Sequence, residues 1–578
     1  MTGLVALEPV AGRSASSSDR PADLLLVGGS VLVMDGSPAR RAALAVRGGR
    51  IVAVGDEASL GKLAGPRTRR FDLAGRTLMP SYQDAHVHPS MAGIGLLRCP
   101  LHELATREDV YLEAIAAYAT AHPEREWVLG DGWYMEAFPG GTPTRQALDR
   151  VVPDRPAFFV NRDGHGAWVN SRALEVFGFD RGTPDPPHGR IEREADGTPS
   201  GTLHEGAMEL AKTFLPPTTV GDVAEGLKLA QAYLHRLGIT AWQDAWVTPL
   251  ELEAYRALAR SGELTARATA CHWWEREAGL EQIDAIVERR RETGEAGGSG
   301  DAGALGRLRA NTVKIMVDGV AENYTAAMLT PYLDGQGHAT DNSGIDFVDA
   351  ETLRQAVTRL DGLGFQVHLH TLGDRAVRHG LDAVEAARTA NGPTDGRHHL
   401  AHLQVVDPVE VRRFAPLGAV ATIQPLWATH EPQMDDLTVP FLAPERVALQ
   451  YPFGSLRRAG ARMAGGSDWT VSTPNVPMQV ETAVNRIAPA QRGRQAPFLP
   501  AEALDVLDAF AAFTIGSAYV NHLDEDTGSL EAGKLADLVV LDRDVLDRGA
   551  GPIGDARVIG TFVEGEAVFS TPDLEALG

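Results

Sequence analysis

Between about residues 82 and 468 the chain alternates short apolar runs that end in polar residues with longer stretches of helical period. The apolar runs predict strands at 82–88, 239–244, 266–272, 312–317, 365–370, 399–403, 419–424 and 461–468. Segments between them, such as "AEGLKLAQAYLHRLG" and "ETLRQAVTRLDGLG", repeat apolar residues at the spacing of one helix face. Strand–helix alternation on this scale predicts a parallel sheet, and eight such strands predict a closed (β/α)8 TIM barrel of the α/β class over residues 79–525. The two ends have another texture. "DLLLVGGSVLVMDG", "AALAVRGGRIVAVG" and, far downstream, "ADLVVLDRD" and "VIGTFVEGEAVFS" are strand-like runs with Gly-Gly or Asp-Gly turns. They predict a composite β-sandwich from residues 23–78 and 526–578. No single crossover helix fills the distance after the first barrel strand, so residues from about 90 to 222 read as an inserted lid subdomain. Residues 1–22 read as a disordered leader without the pattern of a signal peptide, and the Gly/Ala/Ser-rich run at 295–306 as a flexible loop.

Composition narrows the partners. With 44% hydrophobic and 23% charged residues the chain of 578 has the balance of a soluble globular protein. A formal net charge of −23 argues against nucleic acid and anionic membranes as partners. Two cysteines, Cys99 and Cys271, form no disulfide framework and suit a reducing cytoplasm. No apolar run approaches the roughly 20 residues of a bilayer span.

Chemistry enters through the polar residues that end the strands, where barrel sites are built. The first strand offers His86 and His88 two apart, hence on one face, with Asp84 behind them. By itself a His-x-His pair carries little, since roughly one is expected by chance in such a chain. The fourth strand adds Lys314, the fifth His368 and His370, the sixth His402, and the eighth Asp468. Lys314 sits among Val313, Ile315, Met316 and Val317, where an ammonium is costly to bury. Two outcomes stand open for it: a carbamate formed with carbon dioxide, or a lysine that snorkels or pairs at the strand end.

The order His86-x-His88, Lys314, His370, His402, Asp468 resembles the amidohydrolase superfamily, in the branch containing N-substituted formamide deformylases. "DAHVHP", "VKIMVDG", "HTLGDRAV", "HLAHLQVVDP", "GGSDWTVSTPNVPMQ" and "AGKLADLVVLD" carry the resemblance, and "NRDGHGAWVNSRAL" and "GTLHEGA" match its inserted region. Ser81 and Gln83 depart from the family's usual Gly and apolar residue. The resemblance implies His86 and His88 on one metal, Lys314 as a carbamylated bridge, His370 and His402 on a second, and Asp468 as ligand and general base. Zn2+, as one ion or two, is the expected metal, with other divalent ions open and the Lys314 carbamate derived from CO2. It further implies hydrolysis of a C–N bond by metal-activated water. His165 is the candidate for polarising or contacting substrate, and Asp84 and His368 for supporting the ligands. Trp133, Trp168, Trp273 and Trp469 are read as an aromatic substrate wall, which suits a small-molecule amide with an apolar or aromatic group. Deamination, decarboxylation and ester hydrolysis on the same scaffold are the alternatives, ahead of a non-catalytic scaffold. Self-association as a homodimer is left open.

Overall fold

The computed structural model describes residues 20–578, apart from positions 103, 163, 165, 187, 188, 295–305 and 323. Eight strands make one all-parallel sheet: β1 (Tyr82–Val87), β2 (Ile239–Val247), β3 (Arg267–Trp273), β4 (Leu308–Met316), β5 (Gln366–Thr371), β6 (His399–His402), β7 (Val420–Ile423) and β8 (Arg462–Gly465). Neighbours in sequence are neighbours in space from β1 to β8. The sheet is a nearly closed TIM barrel, and every strand predicted from the sequence is present within a few residues.

Alternation explains both faces of that sheet. Val313 and Ile315, Val367 and Leu369, and Leu400 and Ala421 point outward into one apolar cluster under the helices. Thr312 and Lys314, Gln366, His368 and His370, and His399 and Thr422 take the opposite face, also buried. The barrel interior is therefore polar. Gln83, unusual for the family, is satisfied there, donating to Thr527 Oγ1 (2.7 Å) and accepting from Asn521 Nδ2 (3.3 Å).

The outer helices begin at identifiable caps. Thr219 and Asp222 form a capping box on the Val220–Arg236 helix, and Thr248 and Glu251 another on Pro249–Ser261. The helix Pro89–Leu96, directly after β1, lies against Val220–Arg236 so closely that a Cβ on Gly93 would stand 2.3 Å from the Gly226 carbonyl carbon. Asp374 does not cap the helix Asp374–Asn391, as its position suggests. It is the first helical residue, and its carboxylate accepts from Leu329 N (2.7 Å) and pairs with Arg446.

The two ends of the chain share one mixed sheet. Its strands run in the order Glu566–Ser570, Val558–Val563, Leu538–Leu541, Thr77–Pro80, Leu24–Val31, Arg40–Arg47, Arg50–Gly55, with Arg69–Asp72 beside Leu24–Val31. Antiparallel pairing of Leu538–Leu541 with Thr77–Pro80 makes the junction. Arg267 of β3 pairs with Asp537 and with Glu564 (2.6 Å), fastening this sheet to the barrel. Order begins earlier than the leader reading expects: Ala22 is buried and donates to Leu63 O (2.8 Å). The rest of the predicted leader, 1–19, and most of the predicted flexible loop lie outside the described residues. Between β1 and β2 the chain builds a separate six-stranded sheet, from Cys99–Pro100 to Pro199–Glu205 and Gly189–Arg193 at its edge.

Candidate metal centre

The barrel closes where β1 meets the chain leaving β8. Asp468 N donates to His86 O (2.8 Å) and His88 N to Trp469 O (2.9 Å). The approach requires glycine at 466, since a Cβ there would lie 2.7 Å from the His86 Cβ. Asp84 binds the same seam, accepting from His86 N (3.0 Å) and Ser467 N (3.0 Å). It therefore fixes the strand ends and orients no imidazole.

Across this seam three side chains converge. Asp468 Oδ1 stands 2.9 Å from His88 Nε2 and 3.4 Å from His86 Nε2, and ligand atoms of the three lie within 4.8 Å of one another. Around them lie His402, with its ring centroid 4.6 Å from that of His86, and His370, 4.5 Å from His402. Asp468 (φ 52°) and His402 (φ 79°) both occupy the left-handed region, which disfavours side chains and is tolerated where the surroundings impose it.

The electrostatics are those of a ligand set. Burial lowers His86 to about 3, with Lys314 adding to the effect, and holds His370 and His402 below the ordinary imidazole range. All three are neutral donors near pH 7. Burial pushes the Asp468 carboxyl up, but His86 and His88 outweigh it and hold the group well below the usual carboxylate range. Burial lowers the Lys314 amine to about 7. Lys314 Nζ, His402 Nδ1, His88 Nδ1 and Asp468 Oδ1 are buried without a hydrogen-bond partner. So many orphaned groups at one point would be costly in a purely structural core. Three converging N/O donors, one of them anionic, with neutral imidazoles beside them, fit a divalent cation.

The remaining predicted residues divide. His368 lies directly behind the centre, its Nε2 2.8 Å from His86 Nδ1. Trp273, at the end of β3, stacks on Trp246 with centroids 3.8 Å apart, and Trp469 on Tyr233 at 4.8 Å. Trp133 and Trp168 are not a substrate wall. Both are closed off in the core of the inserted sheet, donating from Nε1 to Phe159 O and Thr144 O, because apolar strand neighbours enclose them. His165 lies outside the described residues.

Sequence reasoning missed two contributors, Asp318 and Gln424, while Trp427 was already expected at the pocket from its place past a predicted strand end. Asp318 accepts from the backbone N of Ala327, Leu372 and Gly373 and faces His370 Nδ1 at 3.3 Å. Its signal was a carboxylate just past the end of β4, within "VKIMVDG". Gln424 holds the strained His402 backbone, accepting from its N at 2.9 Å. Trp427 stacks on the His402 ring, nearly parallel at 5.2 Å.

Comparison with known proteins agrees with this geometry. Residues 69–569 match the profile of the amidohydrolase family. The N-substituted formamide deformylase of Arthrobacter pascens is 29% identical over 94% of this chain and 97% of its own. The LONG AFTER FAR-RED 3 protein of Arabidopsis thaliana is also 29% identical, over 95% of this chain and 92% of its own. An uncharacterized metal-dependent hydrolase from Pyrococcus horikoshii superposes with a TM-score of 0.71 at 25% identity, covering 92% of this chain and 99% of that one.

Proposed function

The chain belongs to the amidohydrolase family of metal-dependent hydrolases, and from that premise we propose that it cleaves the C–N bond of an N-substituted formamide or similar amide. The observation that carries the reading is the convergence of His86, His88 and Asp468 beside the partnerless Lys314 amine. The formamide class is supported by the full-length likeness to a formamide deformylase. An aryl or bulky apolar group on the substrate is supported by Trp273 at the end of β3, Trp469 just past β8 and Trp427 on His402.

His86, His88 and Asp468 would hold one Zn2+ ion. Lys314, as a carbamate, would join them to a second, with His370 and His402. Burial favours the neutral amine that carbamate formation needs, the reaction with CO2 releasing one proton. A bound ion supplies Lewis acidity, lowering the pKa of water and polarising a carbonyl. Asp468 does the proton work. Its carboxylate, held ionised beside His86 and His88, takes the proton of the attacking water and returns it to the leaving nitrogen as the C–N bond breaks.

Elemental analysis of wild type and Lys314→Ala tests the reading. Two zinc ions per chain falling to one or none in the variant is the expected result. One ion in both would remove the bridge and leave a mononuclear hydrolase. No metal in either after reconstitution with zinc and bicarbonate would overturn the reading. Asp468→Asn should lower turnover of N-benzylformamide by about 10²–10⁴-fold.

A further inference from the structure

Beneath the centre a chain of hydrogen bonds runs into the barrel with its direction fixed at the far end. Gln366 Nε2 donates to two backbone carbonyls, Arg397 O (2.9 Å) and Val520 O (3.0 Å), which can only accept. Its Oε1 must then accept from Gln243 Nε2 (2.9 Å), which also reaches Val520 O (3.3 Å). That leaves Gln243 Oε1 as an acceptor, facing His399 Nε2 at 3.1 Å and Cys271 Sγ at 3.4 Å. The single thiol proton of Cys271 is thereby directed at Gln243, and its sulfur lone pairs are left towards His368 Nδ1, 3.9 Å away.

We propose that Gln243, Cys271 and His368 are positioning residues, forming a one-way relay that fixes His86 as its Nδ1–H tautomer and keeps its Nε2 lone pair for a metal ion. With its Nδ1–H turned to sulfur, His368 presents Nε2 as an acceptor, and His86 Nδ1, 2.8 Å away, must donate. Nε2 of His86 is the atom that faces Asp468. The opposite polarity would put a proton on Nε2 and close that position. Reversal is disfavoured because a thiol proton turned to His368 would leave sulfur lone pairs facing Gln243 Oε1 at 3.4 Å with no proton between them. A neutral partner also separates this arrangement from the usual carboxylate behind a ligating imidazole. Among the described residues His368 has His86 and Cys271 as its hydrogen-bond partners and no carboxylate.

This inference rests on His86 being a ligand, and the test separates the two. Apo-protein is titrated with zinc against a chromophoric chelator for wild type, His368→Phe, His368→Gln, Cys271→Ala and Cys271→Ser, with the melting curve of each as a folding control. His368→Phe should bind zinc about 10–100-fold more weakly, and His368→Gln, whose Oε1 can accept from His86, should recover most of that loss. Cys271→Ala should also bind more weakly and Cys271→Ser should recover, since a hydroxyl can accept from His368 and donate to Gln243. If His368→Phe fails to fold, the cysteine pair carries the test. Wild-type affinity in folded His368→Phe or Cys271→Ala, or no recovery in the conservative variants, overturns the relay with the metal centre standing. Failure of the wild type itself to bind zinc would overturn both.

Discussion

Lys314→Met in metal-free, CO2-depleted protein isolates a costly buried group of the barrel. Burial brings the amine from 10.5 to about 7, and the nearby Asp468 carboxylate only partly opposes this. A fall of about 3.5 (10.5 less 7) corresponds to a cost on the order of 5 kcal/mol. Below about pH 7 the lysine is charged in the folded and the unfolded chain, and the folded state carries the whole cost. Between about 7 and 10.5 only the unfolded chain holds the proton, so stability rises with pH; above that window the cost has gone. Methionine keeps an apolar stem and removes the titration. Urea unfolding of both proteins should therefore find Lys314→Met more stable at pH 6, with wild type recovering about 3 kcal/mol of the difference by pH 9. Parallel pH profiles for the two proteins, or a gap that widens as pH rises, would refute the reasoning.

Three further substitutions probe the frame. Gly466→Ala pushes a methyl to 2.7 Å from His86 Cβ and should cost about 1–3 kcal/mol in unfolding experiments while weakening zinc retention. Arg267→Met strands the buried Asp537 carboxylate between barrel and terminal sheet and should destabilise by about 3–5 kcal/mol; an unchanged melting temperature would contradict the role given to that pair. Trp427→Ala, which removes the ring stacked on His402, should raise KM for aryl-substituted formamides more than for small aliphatic ones, a comparison made directly by steady-state kinetics.

The barrel was legible because its strands are short apolar runs separated by amphipathic helices, a local signal that survives without tertiary context. The centre was legible for a related reason. His86, His88, Lys314, His370, His402 and Asp468 all lie at or just past strand ends, and the barrel gathers such positions at one rim. What stayed hidden depends on contacts between segments far apart in sequence. From sequence, Asp84 could orient an imidazole or fix the strand end, and only closure, which brings Ser467 N to its carboxylate, favours the second. Trp133 and Trp168 look like a pocket wall, but whether an aromatic ring lines a cleft or fills a core is decided by neighbours such as Phe138, which periodicity does not reveal. Gln243 and Cys271 carried no motif at all. Their meaning comes from two carbonyl oxygens, of Arg397 and Val520, more than a hundred residues downstream.

The seam at which β1 meets the end of β8 has a consequence for biosynthesis. His86 and His88 leave the ribosome about 380 residues before Asp468, which at about 5–20 residues per second is on the order of 20–80 s. Throughout that interval the pair lacks Asp468, while Lys314, His370 and His402 emerge one after another. An ion captured by the pair during that interval would be held without Asp468. The complete His86–His88–Asp468 set exists only in the finished fold.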